Sequence, residues 1–220
     1  MLHAARVTSW IVLQLADSAF PTGGFAHSAG LETLVQTGEV RSVEAFCGEL
    51  VDQLAHGSLP MVATVYDAPE RLAEVDAFAR TTLWSHVAAR ASRAQGRALL
   101  DVAARSFEHA VLREARARRD LECHLAPVFG FVTRALGVVR EEALATFLHL
   151  GLRGALSAAV RLGAIGPAEA QAIHHRLHDA LATALARGAT LTLADVAQTS
   201  PIVELVQATH DRLYSRLFQS

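Results

Sequence analysis

The chain has no lysine and no asparagine, so all 20 of its Lys+Arg residues are arginine. Without lysine there is no Schiff-base nucleophile and no GxxxxGK[ST] phosphate loop, which excludes nucleotide hydrolases of that type. Without asparagine there is no N-glycosylation sequon. The two cysteines, Cys47 and Cys123, are too few and too far apart for a disulfide framework. Aromatic residues make up only 6% of the chain, and none are interleaved with the basic cluster at Arg113, Arg116, Arg118 and Arg119 to stack nucleic-acid bases. The formal net charge of −2 supplies no attraction to nucleic acid or to an anionic membrane. No apolar run is expected to reach the roughly 20 residues of a membrane span. The segment WIVLQLA after Arg6 imitates a signal peptide, but Gln14 breaks it and Asp17 follows at once. The expected location is the cytoplasm.

What is present is apolar and helical. Hydrophobic residues form 51% of the 220 positions, mostly Ala, Leu and Val with few β-branched runs. That pattern predicts an all-α fold, a single helical domain spanning residues 1–220 with about eight to ten helices. Leu144, Leu148, Leu152, Leu156 and Val160 form one i, i+4 stripe, and Ile173, Leu177, Leu181 and Leu185 form another. Gly151 and Gly154 interrupt the first stripe and predict close helix contact there. Thr8 or Ser9, Ser42, and Ser200 ahead of Pro201 read as helix starts. The last helix is expected to carry Ile202, Val206, His210, Leu213 and Leu217 on one face.

The densest packet of turn residues lies within Leu13–Glu32, LQLADSAFPTGGFAHSAGLE. Asp17, Ser18, Pro21, Thr22, Gly23 and Gly24 fall within eight positions, bracketed by Phe20 and Phe25. A solvated loop needs no such composition, so the segment predicts a half-buried turn that sets how two helices meet. Asp17, Ser18, His27 and Ser28 invite a hydrolase reading. A triad is a matter of spatial geometry, however, and no GxSxG elbow accompanies them. Tying loose backbone groups at the turn is the role their types favour. The glycines suit a turn of positive φ better than a phosphate cradle.

Elsewhere, His174, His175 and His178 form HHxxH, whose i, i+4 pair has metal-binding spacing but lacks the glutamate of HExxH. The second functional reading is therefore a small helical metal-binding enzyme using that segment. A helical DNA-binding regulator is a third class, and the charge balance opposes it. Cys123 and His124 alone do not make a metal site. Arg113, Arg116, Arg118 and Arg119 are diluted by Glu114, Asp120 and Glu122, as on a solvated helix end. The sequence closes with HDRLYSRLFQS, where Tyr214, Leu217 and Phe218 beside Arg212 and Arg216 have the composition of an interface.

Four ordered segments resemble the UreF family of urease accessory proteins. The first comprises Asp17, Ser18, Pro21, Gly23, Phe25, His27, Ser28, Gly30, Leu31 and Glu32. The second is His124–Gly137 (HLAPVFGFVTRALG), the third Ser157–Gln171 (SAAVRLGAIGPAEAQ), and the fourth the closing HDRLYSRLFQS. The resemblance implies an all-helical, dimeric, non-catalytic protein with no cofactor and no metal site of its own. Its implied partners are UreD/UreH, the GTPase UreG and, through them, apo-urease, to which nickel is delivered with modulation of the GTPase cycle. It further implies that Tyr214, Arg216, Leu217, Phe218 and Ser220 bind UreD/UreH. Asp17, Ser18, Pro21, Gly23, Gly24, Phe25, His27, Ser28, Gly30 and Glu32 would form the structural motif.

Overall fold

The computed structural model describes residues 9–40 and 42–220, so Arg6 and Thr8 lie outside it. Twelve α-helices and four short 3-10 turns follow one another, with no strand among the described residues. In chain order the helices are α1 (Trp10–Ala16), α2 (Leu31–Thr37), α3 (Val43–Gly57), α4 (Leu59–Asp67), α5 (Leu72–Thr82) and α6 (His86–Ser106). They continue with α7 (Ala110–Ala117), α8 (Leu125–Ala135), α9 (Arg140–Arg161), α10 (Pro167–Arg176), α11 (His178–Gly188) and α12 (Pro201–Ala208). The all-helical expectation holds. The helix count rises above ten because punctuation splits long stretches: Ser58 divides α3 from α4, and Leu177 divides α10 from α11.

Capping follows the sequence at Ser42, while Ser85 caps unforeseen and Ser200 makes no capping side-chain bond. The Ser42 hydroxyl accepts from Ala45 N–H at 3.0 Å, and the Ser85 hydroxyl from Ala88 N–H at 3.3 Å. Each such cap stabilises its helix by about 1 kcal/mol. Ser9 precedes α1 without a capping side-chain bond.

The core runs as one continuous packing from α10 and α11, through α3 and α9, to α4, α8, α6 and α7. Leu144, Leu148 and Leu152 of the α9 stripe are at most 1% exposed. By length and composition α9 could cross a membrane, contrary to the expectation that no stretch would. Even so, 56% of its most apolar window is buried against the rest of the protein, as befits a central core helix.

Close approaches fix the crossings. A Cβ on Gly130 would sit 2.3 Å from the Val62 carbonyl oxygen, which is what lets α8 lie against α4. A Cβ on Gly151 would meet Leu54 Cδ1 at 2.3 Å, bearing out the predicted close contact. Gly154 differs, because nothing lies within 4 Å of its absent Cβ. It faces a cavity instead of a helix.

Candidate functional site

The loop between α1 and α2 turns through three left-handed residues, Ala29 at φ +55° and two glycines. Gly23 has φ +74°, and Gly30 has φ +93° with the Gln207 Cβ of α12 only 3.1 Å from where a side chain would begin. Helix α2 therefore starts only at Leu31, and a 3-10 turn at Gly24–Ala26 lies within the loop before it. Asp17 ties the turn as expected, its Oδ1 accepting from Ala19 N–H at 2.7 Å. Ser18 and Pro21 are exposed, and Ser18, Gly23 and Gly24 line the cavity described below.

The C-terminal segment folds back onto this loop. Helix α12 ends at Ala208, earlier than the sequence pattern suggests, and His210–Arg212 form only a 3-10 turn. The reason lies in where the later N–H groups go. Leu217 and Phe218 donate to Glu32 at 2.6 and 3.1 Å, and Gln219 donates to the Ala26 carbonyl at 2.8 Å. Groups that would have continued a helix are thus satisfied across 190 residues of sequence or nearly so. Glu32 is the hub: only 1% exposed, it also accepts from His210 Nε2 at 2.9 Å and from the Gln36 amide at 3.3 Å.

Further contacts close the join. Ser28 donates its N–H (2.7 Å) and its hydroxyl (2.9 Å) to the Ser220 carbonyl oxygen, while His27 Nδ1 lies 2.7 Å from Ser220 Oγ. Burial first, then the charges of Arg90 and His210, hold His27 down to about 4, so its ring is neutral near pH 7. Outside this inner layer, Asp211 accepts two bonds from Arg90 (2.8 and 3.0 Å) and one each from His86 (3.1 Å) and Arg216 (3.0 Å). Arg90 foremost, and then His86, hold the Asp211 carboxyl well below the usual carboxylate range.

Arg161 joins three of the sequence segments at one point. Its guanidinium stands 4.4 Å from the Phe218 ring centre and 5.9 Å from that of Phe25, and it donates to the Phe25 carbonyl oxygen. Arg161 sits in the SAAVRLG segment, Phe25 in the loop and Phe218 in the closing segment. The five residues assigned to partner binding are divided by this fold. Phe218 and Ser220 are buried at 4% and 1% exposure; Tyr214, Leu217 and Arg216 face solvent, Tyr214 completely.

Beneath the loop lies a cavity of about 570 Å³ bounded by α3, α6, α8 and α9. Its wall is mostly apolar, from residues such as Phe20, Met61, Phe129 and Phe147, with His27, Gln95, His124 and Arg153 among its polar points. His124 is fully buried, with Nδ1 at 3.3 Å from Ser92 Oγ and Nε2 3.6 Å from Glu122 Oε2, beyond hydrogen-bond reach; burial lowers its pKa. Its position is set by Asp76, whose carboxylate accepts from the N–H groups of Glu122, Cys123 and His124 at 2.6, 3.0 and 2.7 Å.

Sequence reasoning did not single out Asp76, Arg90, Arg161 or Asp211, since each acts through a contact distant in sequence. The chemistry of the join is that of a clasp. His27 meets Ser220 rather than Ser18 or Ser28, and the Ser28 hydroxyl is spent on backbone groups. Both cysteines are buried, and burial pushes the Cys47 thiol up to about 12.

The family model described as UreF matches residues 39–178. Urease accessory protein F of Arabidopsis thaliana is 36% identical over 230 residues, covering 100% of this chain and 96% of that one. Its counterpart in Oryza sativa subsp. indica is 32% identical over 219 residues, covering 95% of this chain and 84% of its own length. Urease accessory protein UreF of Trichodesmium erythraeum (strain IMS101) is 30% identical over 221 residues, with 94% of each chain covered.

Proposed function

The chain belongs to the UreF family of urease accessory proteins, and on that footing we propose that it is a non-catalytic, cytoplasmic scaffold of urease maturation. In this reading it acts as a homodimer that joins UreD/UreH to the GTPase UreG and modulates GTP-dependent nickel insertion into apo-urease. The observation that carries the reading is the clasp between the loop and the closing segment. It buries Phe218 and Ser220 as anchors and leaves Tyr214 and Leu217 exposed at 105% and 53%. Aromatic and arginine side chains held out by a rigid base are what interface hot spots require. Phe25, Trp84, Ile202 and Leu205, all more than half exposed, extend the apolar surface available to partners.

The test is a pull-down of the full-length chain with UreD/UreH and UreG from the same source, the mass of the complex being read by light scattering. A stable ternary assembly is expected. The double variant Tyr214→Ala/Leu217→Ala removes only solvent-facing side chains, so its fold and melting temperature should match the parent. Its affinity for UreD/UreH should fall at least tenfold, since two hot-spot truncations are worth about 2 kcal/mol or more together. Undiminished binding by that variant would refute the assignment of the closing segment to the partner.

A further inference from the structure

Four histidines that the scaffold does not use stand together where α9, α10 and α11 meet. His149 belongs to α9, His174 and His175 to α10, and His178 opens α11. His149 Nδ1 and His174 Nε2 are 3.3 Å apart, and so are His174 Nδ1 and His178 Nε2. The ring centres of these successive pairs are 5.3 and 5.4 Å apart, with His175 5.0 Å from His178. His149 and His174 are half-buried; His175 and His178 are exposed. Burial foremost lowers the pKa of both half-buried rings, with His174 and Arg153 adding to the effect on His149 and His178 to that on His174.

We propose that His149 Nδ1 and His174 Nε2 form a two-histidine chelate for a borderline divalent transition-metal ion such as Ni²⁺ or Zn²⁺, with His178 as the residue that orients His174. The separation fits. Two imidazole nitrogens each about 2.0–2.1 Å from a tetrahedral ion stand about 3.3–3.4 Å apart, the spacing of this pair. The outer contact fits as well. A ligating histidine donates its other ring N–H to a neighbouring acceptor, which fixes tautomer and orientation. Here His174 Nδ1–H would donate to His178 Nε2, leaving Nε2 of His174 for the ion.

Among the described residues no group of three or more His, Cys, Asp or Glu side chains is arranged to hold a metal, so water completes the shell. Imidazole with water selects borderline ions over Mg²⁺ and Ca²⁺, and two protein ligands make an exchangeable site rather than a structural one. The two ligands come from different helices. The ion would therefore clip α10 to α9, which the i, i+4 pair within HHxxH could not do.

The experiment is calorimetric titration of the untagged, chelator-treated full chain with NiCl₂ and, separately, ZnCl₂, with melting temperature followed alongside. The expected result is one saturable ion per chain and a melting temperature that rises with added metal. His174→Ala should abolish both effects, and His149→Ala should weaken binding at least tenfold while circular dichroism shows an unchanged fold. His178→Ala should weaken binding about tenfold and His178→Gln should restore it, because the amide oxygen can accept from His174 Nδ1. Absence of saturable binding by the parent, or binding that survives His174→Ala, would overturn the site. Loss in His178→Ala with none in His149→Ala would overturn the assigned edge in favour of a chelate by His174 and His178.

Discussion

Replacing Glu32 by alanine should release the closing segment while leaving the helical body folded. Glu32 is 1% exposed and receives four donors: His210 Nε2, the N–H groups of Leu217 and Phe218, and the Gln36 amide. Removing the carboxylate leaves His210, itself fully buried, and the buried Phe218 N–H without acceptors. Each stranded buried donor costs about 1–3 kcal/mol. The cavity left by the side chain admits some water, so about 2–4 kcal/mol is the working figure for the pair. The segment escapes that penalty by undocking, because solvent then satisfies its N–H groups. The loss should therefore fall on local opening and not on global unfolding.

Native-state hydrogen exchange at Leu217, Phe218 and Gln219 reads this directly. At about 1.4 kcal/mol per tenfold, exchange at these amides should accelerate roughly 30- to 700-fold. Core amides of α9 around Leu148 should keep their parent rates. Tryptic cleavage after Arg212 and Arg216 should accelerate in step. If the three amides keep their parent protection, or if α9 loses protection by the same factor, Glu32 is not the latch of this segment.

Two other outcomes follow from the same geometry. His27 is held at about 4 against an ordinary 6.5, so the folded protein favours its neutral form. Its contribution is whole above pH 6.5 and is lost as pH falls from 6.5 towards 4. The melting temperature should decline across that window, and His27→Gln, which can still bond Ser220 Oγ, should flatten the decline; an unchanged slope would refute the role. Gly130→Ala sets a Cβ against the Val62 carbonyl, which cannot move aside, at about 3 kcal/mol and hence a loss of about 6–12 °C in melting temperature. Gly154→Ala, with open space at its Cβ, should instead raise it by about 2–4 °C through helix propensity. Equal effects of the two substitutions on a thermal melt would contradict the crossing geometry.

The helical class was legible because local pattern is enough to specify it. Leucines at i, i+4 in α9 need only a partner face, and serines at α3 and α6 cap their own next turn. Gly151 was read correctly for the same reason that Gly154 was not. Glycine in a helix announces a missing side chain, but only the fold says whether Leu54 or an empty cavity occupies the space. The loop was legible as a buried turn because Gly23 and Gly30 sit among apolar residues. What it holds was not legible.

The limit is physical. A carboxylate such as Glu32 or Asp76 at the start or within a helix is ordinary in sequence, and its role is set by which backbone donors arrive from elsewhere. For Glu32 they come from residues 217 and 218, and for Asp76 from residues 122 to 124. The same logic explains why the last helix was overextended. Its apolar spacing continues to Leu217, yet beyond Ala208 the N–H groups of Thr209, Arg212 and Leu213 close only tight i−3 turns, and those of Leu217, Phe218 and Gln219 go to Glu32 and Ala26. A charged acceptor already buried by α2 and Leu31 outbids a helix carbonyl that water could serve equally well. That competition turns an aromatic helix end into an anchored strap, with Phe218 under Arg161 and Tyr214 left outside. The position of the strap is thereby coupled to a single buried carboxylate in the first turn of α2.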